Sequence, residues 1–235
     1  MINNVRNTVM FFLNKDNNGY LTPDEFNAFA RQAQLEVFED MFYQYNKWLV
    51  KRNVSEFRIG VSYSGSSDIA KLLSESIDKF STGSALTYSG GIYNLPTDLY
   101  SVTNVLYSLK DVERIEKNKL PYFLFSNHTA PTTYYPAYSQ AGNTITVYPS
   151  TIQTNVSIIY NRYPLDPKWT YYTDPATQAP LFDQAAPDYK DFEVADIFQN
   201  DLIIKILKFA GVSIRENEIV AVANAEEQNN QQQQQ

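Results

Sequence analysis

From Pro23 to about Lys51 apolar residues recur at intervals of three and four: Phe26, Phe29, Ala33, Val37, Met41, Tyr45 and Trp48. This spacing puts them on one face of a long helix. Ala30, Phe38, Phe42 and Leu49 widen that face, which predicts contact on two sides. Upstream, Val5, Val9, Phe12 and Leu13 predict a short helix ending near Asn14, so the chain opens as a helical hairpin. Ser67 can cap a third helix, carried by Ile69, Leu72, Leu73, Ile77 and Phe80 and stopped by Ser81-Thr82-Gly83.

Beyond Gly90-Gly91 the period changes. Short β-prone runs lie at 101–107 and 144–148, and the run from Val156 alternates Val156, Ile158 and Tyr160 on one side, as a half-buried strand does. Pro149, Ser150 and Asn155 mark the connection between the last two strands. Five prolines crowd between Pro164 and Pro187 among Trp169, Tyr171, Tyr172 and Phe182, and proline denies ladder hydrogen bonds, so an extended arm is expected there. Ala195, Leu202, Ile206 and Phe209, with Ile197, Phe198, Ile203 and Leu207 filling in, predict a last long helix that Gly211 ends; Glu216 to Ala225 can form a further short one. The pattern predicts an α+β chain: a helical part over 1–90, an antiparallel β-rich part over 91–163, an arm over 164–191, a C-terminal helical part over 192–225 and a polar tail over 226–235.

The tail, Gln228 to Gln235, is a Gln/Asn tract that cannot bury enough apolar surface to offset its ordering entropy. Order in it would require a neighbouring subunit. Aromatic residues make up 14% of the chain, with Tyr 18 and Phe 14, and tyrosine suits both an aromatic core and a subunit interface.

Composition removes much chemistry. No cysteine is present, which excludes disulfides, thiolate nucleophiles and cysteine-ligated zinc and fits synthesis in a reducing cytosol. His128 is the single histidine, which excludes an HExxH site; no nucleophile signature surrounds it. A net charge of −7 opposes ordinary nucleic-acid binding, and the locally basic Lys110, Arg114, Lys117 and Lys119 are interleaved with Asp111, Glu113 and Glu116. No apolar run approaches the ~18 residues that span a bilayer, and the first residues do not resemble a secretory signal, so a soluble chain without membrane contact is expected. No GxxxxGK[ST] or GxGxxG loop occurs, Ser64-Gly65-Ser66-Ser67 reads as a turn and cap, and no cofactor is expected.

Two motifs could carry chemistry. Asn14-Lys15-Asp16-Asn17-Asn18-Gly19-Tyr20-Leu21-Thr22-Pro23-Asp24-Glu25 resembles an EF-hand loop, with Asn14, Asp16, Asn18, Gly19 and Glu25 at positions one, three, five, six and twelve. It has only two carboxylate ligands and no second copy. Thr22, Pro23 and Glu25 also form a capping box with proline at the first helical position, which accounts for most of the same residues without metal. The acids Asp166, Asp174, Asp183 and Asp188 beside Trp169, Tyr171 and Tyr172 offer the paired carboxylates and aromatic platforms of a glycosidase, or else solvated acids and interface aromatics.

Several segments in order carry a family resemblance: Asn18 to Asn27; Asn94-Leu95-Pro96-Thr97-Asp98-Leu99-Tyr100; Pro131 to Tyr138; Gly142-Asn143-Thr144-Ile145-Thr146-Val147-Tyr148-Pro149; Val156 to Pro164; and Ile206 to Val212. Together they resemble the head-to-tail adaptor, or tail tubular, proteins of short-tailed bacteriophages, most of all the ring proteins of crAss-like phages. The resemblance spans most of the chain and includes no catalytic signature. It implies a non-enzymatic virion protein, made in the host cytoplasm and assembled as a ring of twelve copies beneath the portal. Such a ring would carry further tail components and surround DNA without sequence-specific binding. Helices would line or buttress the channel, the β-rich part would face outward, and arms and termini would reach neighbouring subunits. A calcium-regulated binding protein and a tail-associated glycan hydrolase are the alternatives that the two motifs leave open.

Overall fold

The computed structural model describes residues 1–14, 21–59 and 67–214. The chain is α+β and divides into two compact units: a helical unit, Met1–Ser76 with Pro164–Gln235, and a β unit, Ile77–Tyr163. No helix among the described residues is long and apolar enough to cross a membrane.

In the helical unit, α1 (Ile2–Asn14) and α2 (Pro23–Ile59) both pack on α5 (Gln199–Ile214). Their apolar stripes explain this. Ile2, Val5, Val9 and Leu13 are buried on α1, and Phe26, Ala30, Ala33, Val37, Phe38 and Met41 on α2. From α5 come Leu202, Ile203, Ile206 and Ala210, and Phe209 stacks on Phe29 at 6.2 Å between ring centres. The principal partner of the two N-terminal helices is thus supplied from the far end of the chain. α2 begins where the sequence places it but continues past Lys51 to Ile59. α5 likewise continues through Gly211 to Ile214; packing of the buried face outweighs the roughly 1 kcal/mol that a helical glycine costs against alanine. Lys205 is buried among these helices, its ammonium 2.9 Å from Asp40 and 3.4 Å from Glu36.

α3 (Ser67–Asp78) leads into the β unit, where β structure begins ten residues earlier than the boundary expected at 91. The helix stops at Asp78, short of the expected Phe80, and Ser81-Thr82-Gly83 opens a strand, β1 (Ser81–Ala85), whose backbone pairs antiparallel with β9 (Val156–Arg162). Next come β2 (Tyr88–Ser89), β3 (Ile92–Asn94), β4 (Leu99–Tyr107), β5 (Lys110–Asp111) and β6 (Glu113–Arg114). A one-and-a-half-turn helix, α4 (Leu120–Leu124), precedes β7 (Ala137–Ala141) and β8 (Thr144–Tyr148). One sheet has the order β1-β9-β4-β5 and the other β2-β3-β8-β7-β6, antiparallel except for the β6–β7 pair.

Alternation in β9 buries Val156, Ile158 and Tyr160, as the sequence predicts. With Val105 they meet Tyr93, Tyr138, Ile145 and Val147 of the second sheet in one core. Two of its hydroxyls are satisfied by the chain: Tyr93 donates to the Ile152 carbonyl at 3.2 Å, and Tyr160 donates to Asp98 at 3.0 Å. Asn155, with φ of 58°, makes the left-handed turn that starts β9.

Candidate functional site: the arm and its cleft

The segment after Pro164 is a strap fastened to its own helices. Gln34, buried on α2, holds both ends: its Nε2 donates to the Leu165 carbonyl at 2.8 Å, and its Oε1 accepts from the Glu193 N–H at 2.9 Å. Asn27, two turns earlier, accepts from the Trp169 N–H at 2.8 Å and donates to the Trp169 carbonyl at 3.2 Å, as a strand neighbour would. Because α2 carries these amides seven residues apart, on one face, it substitutes for the ladder that the prolines deny.

Trp169 is 1% exposed, which corrects its expected role in touching a neighbouring subunit. Its indole N–H donates to Asn3 at 3.0 Å, and the Arg6 guanidinium lies 3.8 Å from its ring centre. Tyr171 and Phe182 stack beside it at 5.6 and 5.9 Å. Both belong to a small hairpin, β10 (Tyr171–Thr173) with β11 (Pro180–Phe182), where only an unpaired extended chain was expected. Pro180 fits because it stands at the ladder's last pair, opposite Thr173. Thr170 anchors the hairpin by donating to the Asp183 carbonyl. The hairpin leaves Tyr171 and Tyr172 42% and 53% exposed, so these two aromatics are available to a partner.

Farther along the strap, Asp191 accepts from the Met1 ammonium and the Ile2 N–H, each at 2.7 Å, and from the Phe192 N–H at 2.8 Å. Burial pushes its carboxyl up, but those hydrogen bonds and the ammonium's charge outweigh burial and hold it below the ordinary carboxylate range. A depressed carboxyl contributes stability above its unfolded value near 4 and loses it as pH falls through the lower folded value. Asp191→Asn is therefore expected to cost about 2 kcal/mol at pH 7, a figure kept low because the carboxylate is 37% exposed. Thermal melts of the two proteins should converge once pH has fallen through the folded value, where the carboxyl is protonated in both states; a gap that persists there contradicts this origin.

Between α2 and the strap lies an open cleft of about 470 Å³ lined by Asp24, Asn27, Arg31, Asp166, Lys168 and Asp188 among others. It gathers two of the four acids of the glycosidase alternative and ties both to cations: Asp166 to Arg31 at 3.6 Å and Asp188 to Lys168 at 2.5 Å. Hydrogen bonding from Lys168 lowers Asp188, and hydrogen bonds from Thr177 and Ala176 lower Asp174, whereas a general acid at neutral pH requires a raised carboxyl. Asp183 faces the backbone, accepting from the Ala185 N–H at 2.9 Å. The cleft presents a mosaic of paired charges, suited to polar contacts.

Of the EF-hand-like loop, residues 15–20 lie outside the described residues. Glu25, its twelfth position, is engaged in the capping box: it accepts from the Thr22 hydroxyl at 2.7 Å and the Thr22 N–H at 2.9 Å, while its own N–H donates back at 3.3 Å. Those bonds from Thr22 hold its carboxyl below the usual range. Among the described residues no group of three His, Asp or Glu is placed to share a cation. His128 is exposed in the β6–β7 connection. The tail and the predicted helix from Glu216 also lie outside the described residues.

Local sequence spacing does not mark Asn3, Arg6, Asn27 and Gln34 as site residues, because their partners lie more than 130 residues away. The polar Asn27 and Gln34 within an otherwise apolar helix face were the available signal. Comparison of the chain with protein-family models and with curated proteins finds no match.

Proposed function

We propose that this chain is a structural, non-enzymatic virion protein that joins copies of itself into a ring at a head-to-tail junction, between portal and tail, around the DNA channel. The observation that supports it most is the strap: its base is fixed by Trp169, Gln34 and Asp191, while its hairpin leaves Tyr172, and the free face of Tyr171 where it stacks on Trp169, exposed. A rigidly mounted aromatic pair gives a partner large contact area with little ordering cost. The acidic balance fits a wall along which DNA slides, because phosphates meet few cations able to displace their counterions.

In this reading the Gln228 to Gln235 tract orders against a neighbouring subunit. Deleting residues 226–235 is expected to lower incorporation into particles about tenfold, the effect of losing roughly 1.4 kcal/mol of contact. The melting temperature should stay unchanged. Quantitative mass spectrometry of purified particles measures it, and normal incorporation removes the tail from the mechanism.

A further inference from the structure

We infer that the β4–β5 tip and the β6–β7 connection form the docking surface for the acidic helical unit of a second copy, in a head-to-tail contact. The inference rests on the ring reading and names which surfaces would meet.

The first support is exposure. Leu109 is 90% exposed, Tyr122 79%, Phe125 88%, Tyr134 74% and Tyr135 83%. All lie between residues 109 and 135, and Lys110 beside the tip is 5.6 Å from the Tyr134 ring centre. At the area typical of such side chains they expose on the order of 700 Å² in total, close to one side of a standard interface.

Backbone geometry gives a second, independent support. Ser108 and Leu109 form the two-residue turn between paired Tyr107 and Lys110, with φ of 49° and 67°. Such turns favour Asn-Gly because both positions are left-handed. A leucine there is conformationally unfavourable, and at this exposure its own chain does not bury it. Burial in a partner offsets that cost.

Charge selects the partner. The β unit carries six Lys and Arg against five Asp and Glu, so of the chain's 19 and 26 the helical unit carries thirteen against twenty-one. Lys110 lies over Tyr134, and Arg114, Lys117 and Lys119 belong to the same stretch of chain. A near-neutral, locally basic aromatic surface meets an acidic one favourably, whereas two acidic helical units repel each other. Different surfaces in contact make a heterologous interface, which closes into a ring when the rotation allows. The chain's net charge of −7 opposes nucleic acid as the partner.

The test uses the full-length chain. A photoreactive benzoylphenylalanine replaces Tyr134, the protein is mixed with a nitrogen-15-labelled copy, and crosslinked peptides are mapped. In parallel, sedimentation equilibrium compares the natural chain with Leu109→Asn and with Phe125→Ser/Tyr135→Ser. Expected are crosslinks from position 134 to the labelled copy within 1–76 or 164–235, and association weakened at least about thirtyfold in both variants. Leu109→Asn should melt no lower than the natural chain, since it relieves the turn. Rings whose stability ignores both variants, or absence of any crosslink to the labelled copy, would overturn this surface and leave the ring reading standing. Patch-to-patch crosslinks in a closed dimer would overturn both. Retention of a fluorescent single-stranded oligonucleotide, lost in Phe125→Ser/Tyr135→Ser, would assign the patch to nucleic acid instead.

Discussion

Trp169→Ala is expected to destabilise the helical unit by about 4 kcal/mol, in the range measured when large buried aromatics are truncated. Trp169 contributes more than volume. Its removal strands the Asn3 side-chain oxygen Oδ1 that accepts the indole N–H, withdraws the ring beneath the Arg6 guanidinium, and leaves Phe182 and Tyr171 without the surface on which they stack. The melting temperature of the transition that includes α1 should fall by about 10 °C. Amide hydrogen exchange localises the loss: amides of α1 and of the β10–β11 hairpin should lose protection together, because Trp169 is the group they share. Trp169→Phe retains the stack and loses the hydrogen bond, so it should recover roughly half of the deficit. A decrease under about 1 kcal/mol for the alanine variant would mean that Trp169 is not the strap's anchor.

Gln34→Leu is expected to cost about 3 kcal/mol although leucine fills most of the same space. Glutamine at this buried position satisfies a backbone carbonyl on one side and a backbone N–H on the other. Leucine satisfies neither, and each buried group left unpaired costs on the order of 1–3 kcal/mol. The effect should be local as well as global. With Leu165 and Glu193 both released, the strap should become a substrate for limited proteolysis between residues 164 and 193 while the β unit stays resistant. Equal resistance in the variant and the natural chain would contradict the assignment of Gln34 as the clasp. For assembly the consequence is direct: a strap that moves no longer holds Tyr171 and Tyr172 in one place, and association should weaken even where the chain remains folded.

These two residues also mark how far the sequence could be read. Helical periodicity located α1, α2 and the body of α5 because each buries one face, and alternation located β9 for the same reason. β1 was not legible: Ser81 to Ala85 has no alternating apolar face and is a strand through its backbone pairing with β9. Gly211 reads as a stop because local propensity says so, and α5 passes through it because tertiary packing decides otherwise. Trp169 among prolines reads as an interface aromatic because nothing local buries it; its cover comes from Asn3, Arg6 and Asn27, on helices well over a hundred residues away. Likewise Tyr134 and Tyr135 are plain in the sequence, but their exposure beside the Ser108-Leu109 turn is a property of the fold alone.

The acids of the strap show the limit of motif reading in another way. Spacing alone leaves Asp166, Asp174, Asp183 and Asp188 open to catalysis, whereas the fold supplies partners that spacing does not show: Asp166 and Asp188 are paired with cations, and hydrogen bonds lower the carboxyls of Asp174 and Asp188. The same holds for Glu25, which the helix start already uses.

The most direct test of the connector reading is a reconstruction, without imposed symmetry, of the native particle that contains this chain. The account predicts a closed ring of copies around a channel wide enough for duplex DNA, with the tip at Leu109 of each copy against the helical unit of the next. A single copy, or copies placed on peripheral fibres away from the channel, would contradict it.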